Sequence, residues 1–155
     1  MKVKDFMIRN VITVNENDTI KHLLNTLVDN KIGGAPIVDS EGKLVGMISD
    51  GDVLRSIQLK DTVIYDYFSL MAYTFEKGNL ENVLTAIKDQ PLKKIAKKRG
   101  IVTVKENDEI ETALKLLGKH HFKKIPVIDD NHKVVGVISR GDIIRTIQKN
   151  IIEIL

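Results

Sequence analysis

Apolar residues recur along the chain with two periods, which predict short strands alternating with amphipathic helices. A β-branched run at 11–14 favours a strand, and apolar side chains at positions 20, 23, 24, 27 and 28 then follow the spacing of a helix face. Asn17 and Asp18 precede that helix and predict its N-cap, because short acceptor side chains bond the free amides of a first turn. Two further apolar runs, at 35–38 and 44–48, predict a hairpin, and a last helix is expected over 51–57. Since proline cannot donate to a sheet, Pro36 argues against a central strand at that point.

The whole pattern returns 90 residues later. TVNEND at 13–18 recurs as TVKEND at 103–108, PIVD at 36–39 as PVID at 126–129, and VGMISDGD at 45–52 as VGVISRGD at 135–142. In the second copy the spacing of Asp108 and Glu111 predicts a capping box, and the last helix is expected over 141–152. The constant offset indicates a duplication.

Each copy predicts one βαββα unit of the α/β (α+β) class. A unit of about fifty residues is too small for a comfortable core, so the two copies are expected to pack with pseudo-two-fold symmetry. A cleft between them is then expected to come as two related clefts. The predicted division of the chain is 1–58 for the first repeat, 59–92 for a helical insert and 93–155 for the second repeat.

The insert is apolar in character. Five of the seven aromatic residues lie in it, namely Tyr65, Tyr67, Phe68, Tyr73 and Phe75. The pattern predicts a helix over about 61–73 and a second helix with an apolar stripe at 80–87, capped by Asn79 and ended before Pro91. Packing within the protomer or a homodimer is the favoured interpretation of the aromatic-rich segment 61–75, and a docking surface for an effector protein is the alternative.

Composition narrows the functional classes. The net charge is +3 and cysteine is absent, which excludes disulfides and thiolate metal sites and makes a cytoplasmic location the expectation. The four histidines show no metal-binding spacing, and the chain carries no glycine-rich phosphate loop and no nucleophile–base motif, so neither a metal site nor catalysis is expected. Lysine clusters at 93–98 and 119–124 raise the possibility of nucleic-acid binding, but no recognised DNA-reading motif accompanies them. No apolar run approaches the length of a membrane helix.

The motif of an apolar-Pro-apolar-apolar-Asp strand followed by Gly-apolar-apolar-Ser-x-x-Asp is complete in both copies. It resembles the cystathionine-β-synthase (CBS) domain family, over roughly 3–58 and 93–148, and the chain is similar to a stand-alone tandem pair of such domains, a Bateman module. The resemblance implies a non-enzymatic sensor that binds an adenosine nucleotide such as AMP, ADP or ATP between the repeats. Occupancy is then expected to be transmitted to an effector protein, and the module is expected to form a homodimer. A sensor of S-adenosylmethionine, or a basic CBS protein that binds nucleic acid, is the alternative.

The same resemblance assigns ligand-binding residues. It implies Asp52 and Asp142 at ribose hydroxyls, Ser49 and Ser139 at ribose or phosphate, backbone around Thr13, Ala35, Thr103 and Ile125 at adenine, and Lys123, Lys124 and Arg140 at phosphate. Because the first copy has Gly33, Gly34 and Asp50 where the second has its cations, we expect one competent site around Asp142, Ser139 and Lys123 and a weaker one around Asp52. The alternative interpretation is that each Ser-x-x-Asp only begins a helix and that the lysines are solvated. Arg55 and Arg145 are expected to form i,i+3 ion pairs with the aspartates.

Overall fold

The structure is a computed structural model that describes residues 1–57, 62–65, 73–76 and 79–154. The first repeat contains β1 (Val14–Asn15), α1 (Ile20–Asn30), β2 (Gly34–Val38), β3 (Leu44–Ser49) and α2 (Asp50–Ser56). The insert contains β4 (Thr62–Tyr65), β5 (Tyr73–Glu76) and α3 (Leu80–Ile87). The second repeat contains β6 (Val104–Lys105), α4 (Ile110–Lys119), β7 (Lys124–Ile128), β8 (Val134–Ser139) and α5 (Arg140–Asn150). Short 3₁₀ helices lie at Val3–Asp5, Leu92–Lys94 and Ile152–Ile154, and the two βαββα units are confirmed.

Each repeat forms a three-stranded sheet of the same topology. β1 lies parallel to β2, which lies antiparallel to β3, and β6, β7 and β8 repeat the order. β1 pairs with β2 through Ile37 and Val38, beyond Pro36, which pairs with Met47 of β3. The proline therefore lies where its strand borders a single neighbour, as predicted. Among the described residues, no helix is both long enough and apolar enough to cross a membrane.

The helix starts differ from the sequence prediction. Thr19, rather than Asn17 or Asp18, caps α1, since its hydroxyl oxygen accepts from the amide of His22 at 3.1 Å. The carboxylate of Asp18 instead accepts from the amide of Asn15 at 2.8 Å and closes the turn after β1. In the second repeat, Glu109 holds the cap position without a side-chain bond, and Asp108 bonds the amide of Lys105. The first strand is also shorter than predicted, because it begins at Val14 and not at 11.

The predicted helix over 61–73 is wrong where the structure describes it. Residues Thr62–Tyr65 form a strand paired antiparallel to Tyr73–Glu76, with Thr62 opposite Glu76. The run of Thr, Val and Ile at its start favours a strand, because β-branched side chains fit a pleated backbone. The remaining positions of that prediction, 61 and 66–72, with Tyr67 and Phe68, lie outside the described residues. The second helix of the insert is confirmed, and the Asn79 side chain accepts from the amide of Glu81 at 2.9 Å.

Two hydrophobic cores are completed by an exchange of N-terminal segments. We call residues 1–8 and 90–97 the leaders of the first and second repeat. Leu92, from the second leader, is fully buried in the core of the first repeat, whereas Val3 and Phe6, from the first leader, lie in the core of the second. Backbone hydrogen bonds of 2.9 Å fix both, from the amide of Val3 to Asp108 and from the amide of Leu92 to Asp18. The packing units therefore cross the boundaries that the sequence repeats suggest.

Equivalent residues of the two leaders are separated by one residue fewer than the 90-residue offset of the repeats. Val137 pairs with Ile8 and Met47 pairs with Lys97, so Ile8 and Lys97 are equivalent although they lie 89 positions apart. Beyond the leaders the offset is 90, which places one additional residue between Lys97 and 101 in the second repeat. Gly100 lies in that stretch with φ of 63°, a left-handed conformation that glycine adopts without steric cost.

Candidate functional site

A cavity of about 690 Å³ lies between the repeats and is lined by both. The first repeat contributes the segment before β2, the end of β3 and the first half of α2. The second repeat contributes the segment before β7 and the start of α5, together with Lys97 of its leader. The exchange of leaders thus delivers a second-repeat lysine to the wall formed by β3.

The lining has an apolar wall and a cationic edge. Apolar side chains come from Met47, Ile48, Ile101, Val102, Phe122 and Pro126. Five cations line the cavity, namely Arg55, Lys97, Lys123, Lys124 and Arg140, against the two carboxylates of Asp50 and Asp52. A partly apolar cleft with an excess of positive charge suits a ligand that has a flat organic part and an anionic group.

Asp52 is anchored at the start of α2 by the serine that precedes it by three residues. Its Oδ2 accepts from the amide of Ser49 at 2.8 Å and from the Ser49 hydroxyl at 3.1 Å, while its Oδ1 accepts from Arg55 at 2.6 Å. The Asp52 side chain is 18% exposed and that of Arg55 is 70% exposed. The predicted i,i+3 ion pair is confirmed, and the serine and aspartate also begin the helix.

Asp142 has the matching arrangement at the start of α5. The hydroxyl of Ser139 donates to its carboxylate and accepts from its amide, and Arg145 forms the second i,i+3 ion pair at 2.5 Å. The Asp142 side chain is only 12% exposed. Both aspartates therefore have partners beyond their own backbone, and both side chains are partly exposed.

Lys124 reaches from the second repeat into the first. Its Nζ donates to the carbonyl oxygen of Gly34 at 3.2 Å. The ammonium group is half-buried, and this loss of hydration lowers the pKa of Lys124 below its ordinary value. The carboxylates of Asp142 and Asp50 oppose that shift. The cation therefore faces acidic groups of both repeats.

Phe122 and Lys97 form a second contact at the cavity. The Nζ of Lys97 lies 5.1 Å from the centroid of the Phe122 ring, within the range of a cation–π interaction. The ring of His120 lies 5.2 Å from that of Phe122, and the carbonyl oxygen of His120 accepts from the Arg140 guanidinium at 2.7 Å. The segment before β7 thus contacts two of the cations, Lys97 and Arg140.

Some of the residues assigned from the sequence line the cavity, and others do not. Ser49, Asp52, Lys123, Lys124, Ser139 and Arg140 line the cavity, whereas Asp142, Thr13, Ala35, Thr103 and Ile125 lie outside its lining. The side chains of Ala35 and Ile125 are buried in the two cores.

The cavity groups charged residues of both repeats, and the predicted site around Asp142, Ser139 and Lys123 stays a prediction. In the cavity Lys123 and Lys124 share the space with Asp52, because the segment before β7 faces the helix of the other repeat. Sequence reasoning missed Lys97 and Phe122. Lys97 stood in the lysine cluster at 93–98, which was considered only for nucleic-acid binding, and Phe122, adjacent to Lys123, was the available signal.

The family model described as the CBS domain matches residues 3–59 and 92–149. The chain belongs to the CBS domain family. The matched ranges are the two repeats, and the second begins at Leu92, the leader residue buried in the first core. The CBS repeats thus account for both walls of the cavity.

Relatives of the CBS pair include one of similar length and others that are longer. The uncharacterised protein MJ1426 of Methanocaldococcus jannaschii is 30% identical over 156 residues, which cover 95% of this chain and 91% of that protein. The next two relatives are longer, and the chain spans 40% and 23% of them.

Two solved structures carry adenosyl ligands. The crystal structure of the CBS domain pair of MJ0100, in complex with 5′-methylthioadenosine and S-adenosyl-L-methionine, is similar with a TM-score of 0.70 at 23% identity, covering 96% of this chain and 97% of that one. The structure of CBSX2 from Arabidopsis thaliana in complex with AMP is similar with a TM-score of 0.72 at 24% identity, covering 96% of each chain.

Within the part of this CBS pair that the structure describes, no three His, Asp or Glu side chains are grouped as metal ligands.

Proposed function

We propose that the chain is a sensor module that binds a phosphorylated adenosine such as AMP, ADP or ATP in the cavity between its CBS repeats. One observation carries the proposal: a cavity of about 690 Å³ is lined by both repeats and combines an apolar wall with five cations and two carboxylates. The volume falls in the range of small-molecule sites. The module is proposed to be regulatory rather than catalytic.

Asp52 is the proposed ribose ligand. A carboxylate accepts hydrogen bonds from two vicinal hydroxyls at once, and Ser49 already fixes its Oδ2 toward the helix start. The ion pair with Arg55 occupies Oδ1. Because the Arg55 side chain is largely exposed, the pair contributes about 0–1 kcal/mol and a ribose hydroxyl replaces the guanidinium at small cost.

Base and phosphate have separate places in the proposed complex. The flat adenine lies against the apolar wall formed by Ile101, Val102 and Pro126, and the phosphate lies at Lys123 and Lys124. Adenosine is common to the ligands of MJ0100 and CBSX2, which supports the base and the ribose. The excess of cations favours a phosphate over the positively charged sulfonium of S-adenosylmethionine, the alternative ligand.

Signal transmission follows from the place of the cavity between repeats. A ligand that touches α2 in one repeat and the segment before β7 in the other binds one relative arrangement of the repeats better than others. It therefore shifts the population toward that arrangement. We propose that the ligand-bound arrangement is recognised by a second copy of the chain, in a homodimer, or by an effector protein.

A thermal-shift panel tests the proposal. The wild-type protein is heated with AMP, ADP, ATP, S-adenosylmethionine, 5′-methylthioadenosine or GMP. We expect saturable stabilisation by the phosphorylated adenosines, by about 2.7 kcal/mol at a hundredfold excess over Kd. A larger shift with S-adenosylmethionine supports the alternative sensor. The absence of a shift with every adenosyl compound, together with steeply salt-dependent binding of an oligonucleotide, would replace the proposal with nucleic-acid binding.

A further inference from the structure

Two neighbouring lysines of the second leader, Lys97 and Lys98, have different surroundings. Lys98 forms a salt bridge with Glu16 at 3.0 Å. Arg9 forms the equivalent salt bridge in the first leader, with Glu106 at 3.6 Å, and the two glutamates are 90 residues apart. A cation at this position of the leader therefore has the same structural partner in both repeats, which accounts for Lys98.

The position of Lys97 does not require a cation. Its equivalent in the first leader is Ile8, since these two residues form the matching bridges to β3 and β8. Within the described residues, Lys97 takes part in none of the salt bridges. Its exposed side chain instead lines the cavity, where its ammonium lies 5.1 Å from the centroid of the Phe122 ring. A charge has thus been placed in the cavity where the other repeat has an apolar residue.

The backbone of Lys97 is fixed on the cavity wall. Its amide donates to the carbonyl oxygen of Met47 at 3.0 Å, and its own carbonyl oxygen accepts from the Met47 amide at 2.9 Å. A Cβ at Gly46 would lie 3.0 Å from that same carbonyl oxygen, so the leader packs closely on β3. The lysine side chain is a flexible four-carbon stem, and a cation–π contact at an exposed site is weak. The ammonium can therefore leave the ring for an anion while the backbone stays in place.

A monophosphate does not use all the positive charge of the cavity. It carries about two negative charges near neutral pH, and Lys123 and Lys124 are proposed to match them. The ammonium of Lys97 lies by the ring of Phe122, the residue that precedes Lys123, so it is a third cation near that pair. Lys124 is half-buried, whereas Lys123 and Lys97 are exposed. The additional charge therefore lies on the solvent side of the proposed phosphate position.

We propose that Lys97 binds the phosphoryl groups beyond the first, so that the cavity selects ADP or ATP over AMP. This inference rests on the proposed function and narrows its ligand to an adenosine di- or triphosphate. The ammonium exchanges its contact with the Phe122 ring for phosphate oxygens. The exchange of leaders thereby fixes a residue of the second repeat on β3, where it determines specificity.

Isothermal titration calorimetry with AMP and with ATP tests the selectivity. Divalent cations are removed with a chelator, so that the phosphates keep their full charge. The wild-type protein is expected to bind ATP about tenfold or more tightly than AMP. Lys97→Ile, which gives the second leader the residue of the first, is expected to weaken ATP binding about tenfold and AMP binding less than threefold, because it removes a hydrogen bond to a charged group.

Three further variants separate a phosphate contact from a structural role. Lys98→Ile is the matched control, since it makes the same substitution at the neighbouring lysine outside the cavity lining, and it is expected to change both dissociation constants less than threefold. Lys97→Arg keeps the charge and is expected to keep the preference for ATP. Phe122→Leu removes the ring but leaves the cation, and it is also expected to keep that preference. Circular dichroism verifies that each variant is folded.

The outcomes distinguish this inference from the proposed function. The selectivity inference is overturned if the wild-type protein binds AMP as tightly as ATP, or if Lys97→Ile weakens both nucleotides equally or neither. It is also overturned if Lys98→Ile or Phe122→Leu abolishes the preference as Lys97→Ile does. Each of these results leaves the sensor function standing. No binding heat with AMP, ADP or ATP for the wild-type protein overturns the proposed function, and the inference with it.

Discussion

The ammonium group of Lys124 donates a hydrogen bond to the carbonyl oxygen of Gly34, 3.2 Å away, and these two residues occupy the same position of the two repeats. Equivalent residues of a duplicated fold meet only near the axis that relates the copies. Lys43 and Lys133, which pair as an isolated bridge, are a second such pair. A substitution at the axis therefore affects both repeats at once.

The ribose role of Asp52 is tested by replacing each aspartate with its amide. Asp52→Asn is expected to weaken binding of AMP about ten- to a hundredfold, because a hydrogen bond to a charged group contributes about 1.5–3 kcal/mol. Asp142→Asn is the control, since it removes an equivalent helix-start interaction and ion pair outside the cavity. Ligand-induced shifts in Tm, measured against each variant's own Tm without ligand, separate binding from stability. A larger loss with Asp142→Asn would instead support the site that sequence alone suggested.

The pKa of Lys124 predicts a pH dependence of folding. Burial lowers this pKa below its unfolded value, and the facing carboxylates of Asp142 and Asp50 oppose the shift. The folded chain then binds fewer protons at this group than the unfolded chain, so the free energy of unfolding rises with pH between the two pKa values. Lys124→Met removes that contribution. Urea denaturation from pH about 8 to 10 is expected to show the wild-type protein gaining stability relative to the variant. A constant difference between them would contradict the burial of the ammonium.

The exchanged leaders predict that Leu92 stabilises the first repeat, although it begins the second. Leu92→Ala is expected to lower the free energy of unfolding by about 2–5 kcal/mol, because it removes a fully buried side chain from that core. Val28→Ala, at a side chain that is 73% exposed on α1, is the control and is expected to change it by less than about 0.5 kcal/mol. Chemical denaturation measures both. Equal effects would show that the second leader does not dock on the first core.

Two glycines predict opposite effects of the same substitution. A Cβ at Gly136 would lie 2.6 Å from the sulfur of Met7 and 3.1 Å from the carbonyl oxygen of Ile8, so Gly136→Ala is expected to destabilise the docked leader by about 1–3 kcal/mol. A Cβ at Gly118 has no heavy atom within 4 Å, and Gly118→Ala is expected to stabilise α4 by about 0.5–1 kcal/mol. Thermal unfolding of both variants measures the two signs. Stabilisation by Gly136→Ala would mean that the first leader is not packed on β8.

Local patterns account for the parts of the fold that could be predicted from the sequence. The apolar stripe of α1 and the hairpin of β2 and β3 depend on residues close along the chain, and the duplication gave each prediction twice. Helix caps were predicted less well, because Asp18 and Thr19 are both good N-caps and Asp18 is used by the preceding turn. The strand at Thr62–Tyr65 was missed because a short apolar run fits a helix or a strand until its partner is known.

Prediction of the candidate site from the sequence was limited for a different reason. A repeat offset identifies equivalent residues, but it does not say which residues of one copy face the other copy. The sequence therefore grouped Lys123 with Asp142 of its own repeat, whereas the cavity lining also includes Asp52 of the other repeat. Lys97 could not be assigned to the cavity from the sequence either, because its position there depends on the pairing of its leader with Met47 of the other repeat.

The crossing of the leaders also bears on how such a chain arose. Half of this polypeptide, expressed alone, would carry a closing segment shaped for a neighbour and would lack one for itself. Two identical halves can close one another by exchanging those segments, so a chain of half the length needs association to complete its core. A covalent link between two such halves makes that association intramolecular, and it allows equivalent positions to hold different residues, such as Gly34 and Lys124.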